Sequence, residues 1–181
     1  GHPPDARATD DVGKPVRRGL GTHEGHHPVD GAETGDAAVE VGVDSLRYLS
    51  RLTQLTSLDV SLSPRVRDLA PLARLTKLKS LRLACSGPLD FSPLAGLPDL
   101  KELVLEGTEA CGDLSGLGKL AHLERLALDW KGKPGNLQPL AQLTRLHTLR
   151  LANCPQIDDL GPLAGLKALD GVILRDCSRI R

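Results

Sequence analysis

From residue 45 onward one spacing of apolar positions returns again and again. Residues 68–83 read DLAPLARLTKLKSLRL, with leucines three residues apart four times and then two apart once. Residues 136–151 repeat the phrase as NLQPLAQLTRLHTLRL, changing only polar positions and neighbours of the leucines. A step of three (Leu69, Leu72, Leu75) predicts a short helix or 3₁₀ turn. A step of two with polar neighbours (Leu81, Leu83) predicts a short strand. The Asp or Asn that opens the phrase has a side-chain oxygen able to accept from the free N–H groups of a first helical turn. Pro71, Pro93, Pro139 and Pro162 fall inside that turn, where a missing N–H costs little.

The phrase opens at Ser45, Asp68, Asp90, Asp113, Asn136 and Asp159, in steps of 23, 22, 23, 23 and 23 residues. Six apolar columns follow. The first holds Leu46, Leu69, Phe91, Leu114, Leu137 and Leu160, and the last holds Val60, Leu83, Leu105, Leu128, Leu151 and Leu174. All 36 positions of this grid are Leu, Phe or Val. A unit this short cannot bury its apolar face alone, so repeats must stack. One strand per repeat, always in the same direction, predicts a parallel sheet on the inner side of a coil and helical turns on the outer side.

Composition sharpens the picture. Of 181 residues 40% are apolar but only 2% aromatic, with one Trp, one Tyr, one Phe and no Met. The core is therefore leucine. Lys+Arg and Asp+Glu are both 23, which argues against a nucleic-acid module held by phosphate neutralisation. Residues 1–43 differ: one leucine, eight glycines, four prolines, and four basic against eight acidic side chains. That composition predicts disorder over 1–37. Val39, Val41 and Val43 alternate, so 38–44 is a candidate capping strand for a repeat domain over 45–181. At the far end Ile180 shares the column of Val66 and Ile157, and no polar cap follows it, leaving the last repeat as a possible contact surface. The chain opens Gly1-His2 and is expected to be a piece of something longer. It shows no signal peptide and no apolar run of about 18 residues, so a cytoplasmic protein without membrane contact is expected.

The pattern Leu-x-x-Leu-x-x-Leu-x-Leu resembles the leucine-rich-repeat family over residues 45–181, about three quarters of the chain. The short repeat and its Asp-Leu-x-Pro-Leu opening are most similar to the class in phosphatase regulatory subunits and bacterial internalins. The resemblance implies an α/β right-handed solenoid with a concave parallel sheet and convex helical or 3₁₀ turns. It also implies binding of another protein, as the recognition segment of a larger bacterial receptor or regulator. Richness in Leu, Ala, Gly, Arg and Asp with little Ile, Phe and Lys is consistent with a high-GC bacterium.

Catalytic chemistry has nothing to rest on. Cys154 and Cys177 share one repeat position, where the family places Asn, Cys or Thr to hydrogen-bond the turn backbone. One strand apart, they are within reach of a disulfide, but parallel side chains make that geometry unattractive. Cys111 falls in the Val66/Ile157 column and Cys85 on a loop edge. No Cys-x-x-Cys marks a zinc site. His23, His26 and His27 cluster in the tail, where a flexible segment makes a poor metal site. His122 and His147 stand in different columns without a nucleophile beside them. No catalytic, cofactor-binding or metal-binding residue is assigned, and no cofactor is expected.

The residues between the strand leucines face outward on the inner sheet. The central column reads Asp59, Arg82, Val104, Ala127, Arg150, Ile173. The column before it includes Glu102 and Arg125, and the column after it includes Glu106, Asp129 and Arg175. Mixed charges around apolar spots suit a polypeptide better than a polyanion. Trp130, beside Asp129, is either a contact residue or a cover for the loop 131–135. The candidate partner surface is therefore Asp59, Arg82, Glu102, Val104, Glu106, Arg125, Asp129, Trp130, Arg150, Ile173 and Arg175. The expected function is a non-enzymatic module that binds a protein on this face. The rival is a sensor or autoinhibitory arm of a multidomain enzyme, such as a nucleotide-hydrolysing signalling protein, whose catalytic domain lies outside the chain. A cell-surface adhesin is a weaker third reading.

Overall fold

The step of three between leucines is the hydrogen-bonding step of a 3₁₀ helix, and the chain uses it as such. The computed structural model describes residues 38–40, 46–61, 66–107, 114–130 and 136–180, all within the compact unit Gly35–Arg181. In the second repeat the amides of Leu72, Leu75 and Leu78 donate to the carbonyls of Leu69, Leu72 and Leu75, each at 2.9 Å. The side chains that must share one face are thus also joined through their backbones. Six 3₁₀ turns result: η1 (Leu46–Arg51), η2 (Ala70–Arg74), η3 (Ser92–Gly96), η4 (Leu114–Lys119), η5 (Gln138–Gln142) and η6 (Gly161–Leu163).

The opening polar residue sets the start of these turns. Oδ1 of Asp68, Asp90, Asn136 and Asp159 accepts from the N–H two residues on, at 2.8, 2.9, 3.0 and 2.6 Å. This is an Asx turn, a side chain mimicking a backbone turn. Pro71, Pro93, Pro139 and Pro162 stand next, within the first two positions of the 3₁₀ turn, so the fixed φ starts the helix and no needed donor is lost.

Each turn leads back to a strand: β1 (Ala38–Glu40), β2 (Ser57–Val60), β3 (Ser80–Cys85), β4 (Glu102–Gly107), β5 (Arg125–Trp130), β6 (Thr148–Ala152) and β7 (Gly171–Arg175). They form one seven-stranded parallel sheet in sequence order, each pairing only with its neighbours. From β2 onward the register follows the sequence period, so Leu58, Leu81, Leu103, Leu126 and Leu149 stand side by side, with Val172 completing the row. A recurring contact locks each repeat to the one before. The carbonyl of Thr56 accepts from both Lys79 and Ser80, that of Lys79 from Lys101 and Glu102, and that of Lys101 from Glu124 and Arg125. Glu124 and His147 continue the series.

The core lies between sheet and turns. Every grid position of the second to fifth repeats is buried, Phe91 included, and each such side chain contributes roughly 1.5–3 kcal/mol by leaving water. The ends differ. Leu52 in the first repeat is 44% exposed, and Val172 and Leu174 in the sixth are 44% and 40% exposed, because among the described residues no repeat covers their flank. Where β6 and β7 end, Asn153 and Asp176 take positive φ of 55° and 53°. Asn and Asp tolerate this left-handed turn better than other side chains. The tail 1–37, the remainder of the capping segment at 41–44, Cys111, and the loop 131–135 lie outside the described residues.

Candidate interaction surface

Alternation along each strand sends the leucines into the core and the intervening residues to the open face of the sheet. The register brings the central column together as continuous Cα partners: Asp59, Arg82, Val104, Ala127, Arg150 and Ile173. The first five are half-buried and Ile173 is exposed. Glu102 and Arg125 are partners in the preceding column, as are Glu106 and Asp129 in the following one, where Ala152 then meets Arg175. The sheet therefore places the candidate residues on one face. Trp130 ends β5 opposite Gly107, and the choice between partner contact and loop cover lies outside the described residues.

The charges on this face are organised by strand. Arg82 bridges two acids, with Nε 3.6 Å from Asp59 Oδ2 and a guanidinium N–H donating to Glu106 Oε1 at 2.6 Å. Arg125 donates to Glu102 Oε2 at 3.3 Å. Asp129 Oδ1 accepts from the amide of Asn153 at 2.7 Å. Such half-exposed pairs contribute roughly 0–1 kcal/mol each, so they fix side-chain positions more than they stabilise the fold. The sequence pattern does not single out Asn153. Its only signal is a position just past a strand end, where an Asn suits a left-handed turn.

Just ahead of β4 and β5 the Lys101 ammonium sits 2.9 Å from Glu124 Oε1, and this bond holds the Glu124 carboxyl below its usual range. The Asp90 carboxyl is likewise lowered, first by the Ser92 backbone N–H and then by the Ser92 hydroxyl. Cys154 and Cys177 do not pair with each other. Their thiols donate to the carbonyls of Ala152 and Arg175, two residues back, at 3.1 and 3.2 Å. Among the described residues no group of three or more His, Cys, Asp or Glu is placed to hold a metal ion, and no helix is long and apolar enough to cross a membrane.

No protein-family model and no curated protein matches the sequence. Solved structures do. Internalin C2 of Listeria monocytogenes is 28% identical over 72% of this chain and 66% of its own, with a TM-score of 0.50. The chain has the leucine-rich-repeat fold. A leucine-rich-repeat protein of Leptospira interrogans (20% identity, 76% of this chain and 36% of that one, TM-score 0.58) has the same fold. So does the leucine-rich-repeat domain of the type III effector XopL (23% identity, 73% and 48%, TM-score 0.57). This leucine-rich-repeat chain thus spans just under two thirds of the internalin, about half of the effector domain and about a third of the Leptospira protein. The Listeria and Leptospira proteins are bacterial, in keeping with the composition.

Proposed function

We propose that the chain is a non-enzymatic interaction module that receives a segment of a polypeptide partner on the open, concave face of its sheet, as part of a larger bacterial receptor or regulator. Leucine-rich-repeat neighbours support a protein-interaction module in general. One observation carries the finer reading: the open-face residues project from strands locked in register by a leucine core and by backbone bonds from repeat to repeat. A surface held this way loses little conformational freedom on binding, so more of the contact energy remains as affinity. Apolar Val104, Ala127 and Ile173 sit among polar and charged neighbours, the mixture found at polypeptide interfaces.

The test is affinity capture from bacterial lysate on the immobilised 181-residue chain, compared with a variant carrying Val104→Tyr and Ala127→Tyr. These changes add bulk to the middle of the open face without adding charge. Proteins retained by the wild type are expected to be lost from the variant, while a control at an exposed position in the link between η2 and β3, Lys77→Glu, retains them. Identical capture by all three would end the open-face reading.

A further inference from the structure

The charges of the open face divide into two territories. From β2 to β5 every charged residue of its three columns has a partner: Asp59 and Glu106 on Arg82, Glu102 on Arg125, and Asp129 on Asn153. On β6 and β7 the same columns read Thr148, Arg150, Ala152 and Gly171, Ile173, Arg175. They hold two arginines and no acid. Among the described residues neither guanidinium meets a carboxylate, and between them stands Ile173, 43% exposed.

Resting on the open-face reading above, we infer that the partner segment is acidic and that Arg150 and Arg175 receive its carboxylates, with an apolar side chain seated on Ile173. The geometry fits an extended peptide. Arg150 and Arg175 lie on adjacent strands and two residues apart in register, a Cα separation of about 8 Å. Alternate side chains of an extended segment are roughly 7 Å apart, so two acids at i and i+2 span the arginines. Arginine presents a planar fork that matches a carboxylate with two parallel hydrogen bonds, which gives direction as well as attraction.

The same arrangement disfavours a nucleic acid. A polyanion gains affinity by neutralising many phosphates, and here two cations are followed by strands carrying Asp129, Glu102, Glu106 and Asp59. The acidic element of the partner is therefore short and confined to β6 and β7. The paired charges of β2 to β5 offer it no excess attraction, because Arg82 and Arg125 already have carboxylates of their own.

The probe is a displayed library of random twelve-residue peptides selected on the 181-residue chain. Enriched peptides are expected to carry Asp or Glu at i, i+2 spacing around an apolar residue. A synthetic copy of one should lose affinity on the order of tenfold with Arg150→Gln and Arg175→Gln together, with an unchanged melting temperature. On Arg150→Glu with Arg175→Glu, selection should turn to Lys- and Arg-bearing peptides. Neutral or basic peptides enriched on the wild type would overturn the inference, as would acidic ones that bind the glutamine pair undiminished. If such peptides still lose binding to the Val104→Tyr, Ala127→Tyr variant, only the acidic partner falls and the open-face reading stands. If they are indifferent to both pairs of changes, both fall.

Discussion

The carboxylate at the head of a repeat is a small device with a pH signature. Asp90 Oδ1 accepts from Ser92 N–H at 2.9 Å, and that bond, with the Ser92 hydroxyl, holds its pKa below the unfolded value near 4. The sign follows by linkage. A group whose folded pKa is depressed adds stability that is fully present above the unfolded value and is lost as pH falls through the folded one. Glu124, lowered chiefly by its bond to Lys101, adds in the same direction. Thermal melts from pH 7 to pH 3 should therefore show a falling melting temperature, and Asp90→Asn should flatten that fall. The amide is a sound replacement because Asn136 makes the same bond from the same repeat position. A fall equally steep in Asp90→Asn would remove Asp90 from the account. Individual residues also mark the limit of what sequence discloses. Arg82 reaches Glu106 on the diagonal, because its direct partner Val104 offers no side-chain acceptor. Asp129 is held by Asn153 from beyond the next strand's end, where a positive φ turns the chain. No spacing rule announces either pairing. Sequence therefore puts Glu102 and Arg125 in the same candidate set as Arg150 and Arg175, although the first two neutralise each other.

At the scale of elements far more was legible, because one amino acid fills nearly every inward position and its spacing is the geometry. Steps of three became 3₁₀ turns and steps of two became strands, and the 23- and 22-residue periods became the register of the sheet. Spacing alone leaves the helix type open. It was decided by leucine amides bonding three residues back and by a proline in the first two positions of four turns. Close packing between turns adds a constraint that the repeat pattern conceals. Gly118 occupies a position filled by Ala73, Ala95, Ala141 and Ala164 in other repeats, so a consensus argument favours Gly118→Ala. The structure opposes it: a Cβ there would stand 2.7 Å from the backbone oxygen of Pro139, in the next turn. Gly118→Ala is expected to destabilise by about 1–3 kcal/mol through overpacking, measured by denaturant unfolding. Gly96→Ala, where nothing lies within 4 Å of the added carbon, should be neutral or stabilising. Equal effects at the two glycines would refute the close approach.

Over the whole repeat domain, stability is shared between neighbours and thins toward the last repeat. Leu103 is fully buried between repeats on both sides, whereas Val172 in the matching row has a neighbour on one side only. Leu103→Ala should cost about 2–5 kcal/mol, and Val172→Ala well under half of that, read from the same unfolding curves. Amide exchange gives an independent check: protection is expected to be greatest in β3 to β5 and to fall toward β7, as a one-dimensional stack implies. Uniform protection from β3 to β7 would contradict that gradient. The third repeat opens 22 rather than 23 residues after the second, and the missing residue is absent from 84–90, between the strand leucines and the next turn. The strands on either side still pair without a slip, Leu83 against Leu105 like Val60 against Leu83. Length thus varies in that link while it is fixed everywhere else in the six repeats, which makes exposed Pro88, between buried Gly87 and buried Leu89, the port for grafting an epitope or a fluorescent tag into this scaffold.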